Sequence, residues 1–110
     1  MLKLRTVQIL YMKNMADLAL KIAIESRALQ TPKLAYAYAH LIMEDRWPKA
    51  ESLILTDPKY AWLYARDIIE ARWPEAEPII KTNLKCAYSY ARDVLKFDEE
   101  KATLWANEGI

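Results

Sequence analysis

The hydrophobic pattern repeats at helical spacing. Ala61, Tyr64, Ala65 and Ile68 fall at i, i+3, i+4 and i+7, while Lys59, Arg66 and Glu70 lie on the opposite side. The same stripe occurs one period earlier as Ala35, Tyr38, Ala39 and Ile42, opposite Lys33, His40 and Glu44. It occurs again one period later as Ala87, Tyr90, Ala91 and Val94, opposite Lys85, Arg92 and Lys96. Each stripe predicts an amphipathic helix, over 32–44, 58–70 and 84–96. Two alanines beside a tyrosine let a neighbouring helix approach closely, and a buried tyrosine hydroxyl needs a partner.

The boundaries carry their own signals. Thr31, Asp57 and Asn83 share one position, and each can accept a hydrogen bond from the free N–H groups of a helix start. Pro32 and Pro58 follow at the first helical position, where proline is tolerated. Arg46-Trp47-Pro48 and Arg72-Trp73-Pro74 end the helices, because proline disfavours helical geometry in the residue before it. The same prolines open shorter helices, predicted over 48–56 and 74–82. In the third copy Asp98 replaces this device, as a cap before Glu99 and Glu100.

Laying residues 32–57 over 58–83 matches 14 of 26 positions. The expected architecture is all-α, a short α-solenoid of stacked helical hairpins in one domain, residues 1–110. Its units are a degenerate 1–31, two full repeats at 32–57 and 58–83, and a capping unit at 84–110. Atypical end units suit a stack whose outer faces meet water. In the first unit Asn14 is a candidate cap for a helix over 15–29. Residues 3–13 read as another helix, with Thr6–Tyr11 also compatible with a strand that nothing else in the chain would pair.

Composition narrows the function. At 12.8 kDa the chain is one small domain, and a compact monomer of that mass would expose roughly 6,300 Å². Sixteen Lys and Arg balance fifteen Asp and Glu, which argues against a dedicated duplex DNA binder. Cys86 alone excludes an internal disulfide and fits a reducing compartment. With one histidine and one glycine, neither an ordinary zinc site nor a Gly-rich phosphate loop is expected, and no cofactor. The N-terminus interleaves charge with apolar residues and no long uncharged run follows. A cytoplasmic protein without a membrane segment is the expectation.

Tyr64-Ala65-Arg66-Asp67-Ile68-Ile69-Glu70-Ala71-Arg72-Trp73-Pro74-Glu75-Ala76-Glu77-Pro78 resembles the tandem Y-A-x-D-V-I-x-x-R-W-P-E-A-E-P repeats of small proteins encoded by tailed bacteriophages. Tyr38–Glu51 is a weaker copy, with His40-Leu41 for Arg-Asp and Lys49 for Glu. Tyr90–Leu95 matches the first half only. The resemblance covers residues 32–95 and implies a viral accessory protein with an all-helical repeat fold, for which a host protein or defence component is a reasonable target by association with such phage proteins and not by the motif itself. It transfers no catalytic residue.

Cys86 stands where Leu34 and Tyr60 stand in the other copies, so it reads as packing. His40 reads as a solvated polar residue with Glu44 one turn on. Repetition accounts for the carboxylate pairs Glu51 with Glu77 and Glu44 with Glu70 without acid–base chemistry, and no enzyme is expected. Trp47 and Trp73 at the helix corners, with Tyr38, Tyr64 and Tyr90, read as structural anchors. The candidate partner-binding residues are Tyr36, Trp62, Tyr88, Lys59, Arg66 and Arg92, rings and cations at positions that recur from copy to copy. Such a ridge fits a protein partner. The alternative is single-stranded nucleic acid, held by charge on phosphates and rings on bases. Asp67, Asp93, Glu44 and Glu70 beside it oppose that reading. Residues 1–33 carry six cations against two acids, a local +4, and residues 96–110 a local −2, so a basic and an acidic end could dock head to tail.

Overall fold

The computed structural model describes the backbone of residues 2–108 and the side chains of residues 15–108. The fold is all-helical, with no strand among the described residues. Seven α-helices follow in order: α1 Leu2–Ala28, α2 Pro32–Tyr38, α3 Pro48–Ile54, α4 Pro58–Tyr64, α5 Glu77–Ile80, α6 Leu84–Asp93 and α7 Glu99–Glu108. Helices α2 and α4 continue as π-helical segments over Ala39–Met43 and Ala65–Ile69, and a 3-10 turn over Pro74–Ala76 leads into α5.

The helix starts follow from their capping chemistry. Thr31 Oγ1 accepts from the Leu34 N–H at 3.1 Å and Asn83 Oδ1 from the Cys86 N–H at 3.0 Å. Asp57 accepts from Lys59 at 2.9 Å, and Asp98 accepts from Lys101 at 2.8 Å. The helix ends share a second device. Glu44, Glu70 and Lys96 occupy one repeat position, and all three stand in the left-handed region, with φ of 54°, 57° and 61°. A side chain there costs about 1–2 kcal/mol, which glycine would avoid. The distortion lets the Glu70 N–H reach back to the Ala65 carbonyl at 2.8 Å and turns the chain into the Arg-Trp-Pro corner.

That corner joins successive segments. The Tyr64 hydroxyl accepts from the Trp47 backbone N–H at 2.7 Å and donates to Glu51 Oε2 at 2.7 Å. Arg46 grips the same carboxylate through two bonds of 2.9 Å. One segment later the Tyr90 hydroxyl accepts from Trp73 at 2.9 Å and donates to Glu77 at 2.7 Å, with Arg72 bidentate on Glu77. Trp47 packs on Tyr38 at 4.7 Å between ring centroids and Trp73 on Tyr64 at 5.1 Å. Each of these tyrosines is buried, as are both tryptophans and the alanines of the stripe. Cys86 is buried as packing. The pair Glu51 and Glu77 thus has a structural role.

Two expectations need correction, and one feature is new. The helix does not restart at Asn14: α1 runs unbroken for 27 residues, because nothing between 2 and 28 is proline or glycine. Ile42 lies 56% exposed, although its counterpart Ile68 packs against the core, because the straight α1 does not fold over it. The third segment recovers a tryptophan from elsewhere. Trp105 on α7 packs on Tyr90 at 5.4 Å, with the Lys81 ammonium 4.2 Å from its ring centre. The molecule measures 72 × 23 × 17 Å and exposes 7768 Å², more than a compact chain of this mass.

Removing the Tyr64 hydroxyl in Tyr64→Phe leaves a buried N–H and a carboxylate short of a partner, so chemical denaturation should show a loss of about 1–3 kcal/mol. The Tyr38 hydroxyl bonds to no described group, so Tyr38→Phe should stay within about 0.5 kcal/mol. The Arg46 fork, with help from Tyr64, outweighs burial and holds Glu51 below the ordinary 4.5. At Glu77 burial is the largest influence and opposes the shift, but the bonds from Arg72 and Tyr90 together prevail. Near and below pH 4.5 the unfolded chain therefore binds more protons than the folded one, and stability must fall as pH falls. Denaturation midpoints measured from pH 7 down to pH 3 should show this loss, and Glu51→Gln with Glu77→Gln should flatten it.

Candidate functional site

The long segments that begin at α2, α4 and α6 pack side by side, which brings equivalent residues of successive repeats onto one face. Tyr36, on the middle turn of α2, donates its hydroxyl to Asp67 in the following segment. Its ring stacks on His40 at 5.6 Å and meets Tyr60 at 5.9 Å. His40 therefore lies against a ring one turn back rather than with Glu44. The Arg66 guanidinium lies over the Trp62 ring, 4.7 Å from its centre. It also bonds Asp67 at 2.7 and 3.0 Å and reaches Asp93 on α6 at 4.0 Å.

Four of the six expected contact residues lie along this ridge. Tyr36, Trp62 and Arg66 are bound into one network, and Lys59 sits beside it over the Tyr60 ring at 5.5 Å. Tyr88 and Arg92 are separate. Tyr88 lines a hollow between α6 and α7 with Leu84, Thr103 and Ala106, and Arg92 donates to the Phe97 carbonyl at 3.3 Å. Sequence reasoning missed Tyr60 and the use of Asp67 as the joint between segments. The available signal was the Arg-Asp pair repeated at 66–67 and 92–93.

The electrostatics follow from these contacts. The Arg66 bond is the largest influence on Asp67 and, with that of Tyr36, holds its carboxyl below the ordinary 3.8 against burial. Burial first, and then Asp67, pushes the Tyr36 hydroxyl up to about 12. Tyr36 is thus a neutral donor throughout the physiological range. At neutral pH Arg66 is matched by Asp67 and Asp93, while Lys59 lies over the Tyr60 ring.

A second surface lies at the N-terminal end. Ile24 and Arg27 of α1, Leu34 of α2, and Leu41 and Ile42 of the π-helical segment surround an apolar hollow of about 420 Å³. It exists because α1 covers Ala35 and Tyr38 but leaves Leu41 72% exposed. Among the described residues no helix is long and apolar enough to cross a membrane, and no three His, Cys, Asp or Glu side chains converge as metal ligands.

Because the ridge contacts are partly exposed, they contribute little to folding. Tyr36→Phe and Arg66→Ala should each lower the unfolding free energy by less than about 1 kcal/mol while far-ultraviolet circular dichroism stays unchanged. Comparison with models of known protein families, with curated proteins and with solved structures returns no match to this chain.

Proposed function

We propose that this chain is a non-enzymatic protein-binding module, a short α-solenoid of 26-residue units in which the Tyr36–Trp62–Arg66 ridge contacts the partner. The resemblance of residues 32–95 to phage-encoded repeats makes it a viral accessory protein that binds or inhibits a host protein, a defence component among them, in the host cytoplasm. One observation carries the reading. The ridge is tied across segments by the bond from Tyr36 to Asp67, while Arg66 reaches Asp93 at 4.0 Å and lies over the Trp62 ring at 4.7 Å from its centre. Tryptophan, tyrosine and arginine held in place before binding are the residue types that dominate protein interfaces, because little side-chain entropy is lost on contact. The carboxylates along the ridge favour a protein over single-stranded nucleic acid, whose phosphates would meet Asp67 and Asp93 as well as Arg66.

The test is capture from host lysate with the tagged chain, with and without nuclease, beside the double variant Trp62→Ala with Arg66→Ala. One protein recovered at near-equal amount in both samples, and lost by at least about tenfold with the variant, is the expected result. Recovery that disappears on nuclease treatment would replace this reading with the nucleic-acid one. A partner retained by the folded double variant would remove the ridge from the interface.

A further inference from the structure

The exposed apolar residues are confined to the two ends of the molecule. Among the described residues, the exposed Leu, Ile and Met side chains lie between Met15 and Met43 or at Leu84 and Leu104, and none lies between 44 and 83. At the N-terminal end they surround the hollow between α1 and α2, with Arg27 on its rim. Lys21 and Asp17 line a neighbouring hollow with Leu20, Tyr38 and Ile42. At the C-terminal end Leu104 stands on the outer face of α7 beside Glu99, Glu100 and Thr103. The two ends also carry opposite charge, a local +4 over residues 1–33 and −2 over residues 96–110.

We infer that the chain assembles head to tail with further copies of itself, the α7 face of one copy seating Leu104 in the α1–α2 hollow of the next. Glu99 and Glu100 then approach Arg27 and Lys21. The charges select opposite ends: two N-terminal ends would bring cations together, and two C-terminal ends would bring acids together. The contact also continues a relation the chain already uses internally. Segment 32–57 meets 58–83, and 58–83 meets 84–110, through unlike faces joined by the Tyr64 and Tyr90 hydroxyls. Ile42 is left 56% exposed beside α1, whereas its counterpart Ile68 packs against the core. A contact between unlike faces does not close on itself in pairs, so it produces open chains or rings. This assembly uses neither Trp62 nor Arg66 and stands or falls apart from the partner-binding ridge.

Sedimentation velocity on the full chain across a concentration series tests it. The average mass should rise with concentration past two chains. Two variants separate the ends: Leu41→Glu with Ile42→Glu at the hollow, and Leu104→Glu on α7, so that both altered ends carry added acid and repel each other. Each alone should run as a monomer with unchanged circular dichroism. Their equimolar mixture should form a dimer and stop there, since one intact hollow meets one intact α7 face and the outer ends are both disabled. A wild-type chain that stays monomeric at its highest soluble concentration would overturn the inference. So would a dimer that persists in the α7 variant alone, which would mean symmetric pairing through α1.

Discussion

The bond from the Tyr64 or Tyr90 hydroxyl into the preceding corner is the constraint on which the structure depends. The hydroxyl meets two demands of the chain at once. It satisfies the tryptophan N–H, which no helix can accept because proline follows, and it donates to a glutamate already gripped by arginine. Leaving the tyrosine hydroxyl, the N–H or the glutamate unpaired in this mostly buried setting is costly, while the more exposed arginine gives the carboxylate a charged partner. This accounts for the Arg-Trp-Pro-x-Ala-Glu string and for the constant spacing from Glu51 to Tyr64 and from Glu77 to Tyr90. The ring faces its own tryptophan while its hydroxyl faces the preceding corner, so each tyrosine joins two segments.

The N-terminal end shows the consequence of lacking the corner. Leu20, Lys21 and Ile22 stand where Arg, Trp and Pro stand in the following segment, and without proline the helix continues. Glu25 is in register with Glu51 but meets Lys49 at 3.9 Å. Tyr38 is buried against Trp47 with no corner to accept it, and Leu41 and Ile42 stay bare. The apolar hollow thus lies where α1, which has no corner, leaves Leu41 and Ile42 uncovered.

The ridge depends on the same stacking in a different way. Asp67 meets Arg66 as its sequence neighbour, but it meets Tyr36 because α2 and α4 lie side by side. Of the basic row, Arg66 is matched by acids, while Lys59 lies over the Tyr60 ring and Arg92 bonds a carbonyl.

The sequence alone determined where the helices of residues 32–108 start, their caps and the buried Ala-Tyr-Ala part of the stripe. These depend on local rules: apolar spacing, an oxygen before a helix start, proline after tryptophan. It also placed Trp47, Trp73, Tyr38, Tyr64 and Tyr90 as anchors, because their positions recur. The tertiary structure decided what each anchor bonds to, since a hydroxyl whose N–H partner lies in the preceding segment has no local signature. It decided that Trp105, outside the repeat register, would replace the missing corner tryptophan, because any ring that reaches Tyr90 can fill that space. It decided that Arg66 would bond Asp67 and reach Asp93 of the following segment while Arg92 turned to the Phe97 carbonyl, because the acceptor a guanidinium finds depends on what the packing brings beside it. Pattern specifies which face of a helix is buried. Which partner a polar group finds there depends on the packing of segments distant in sequence.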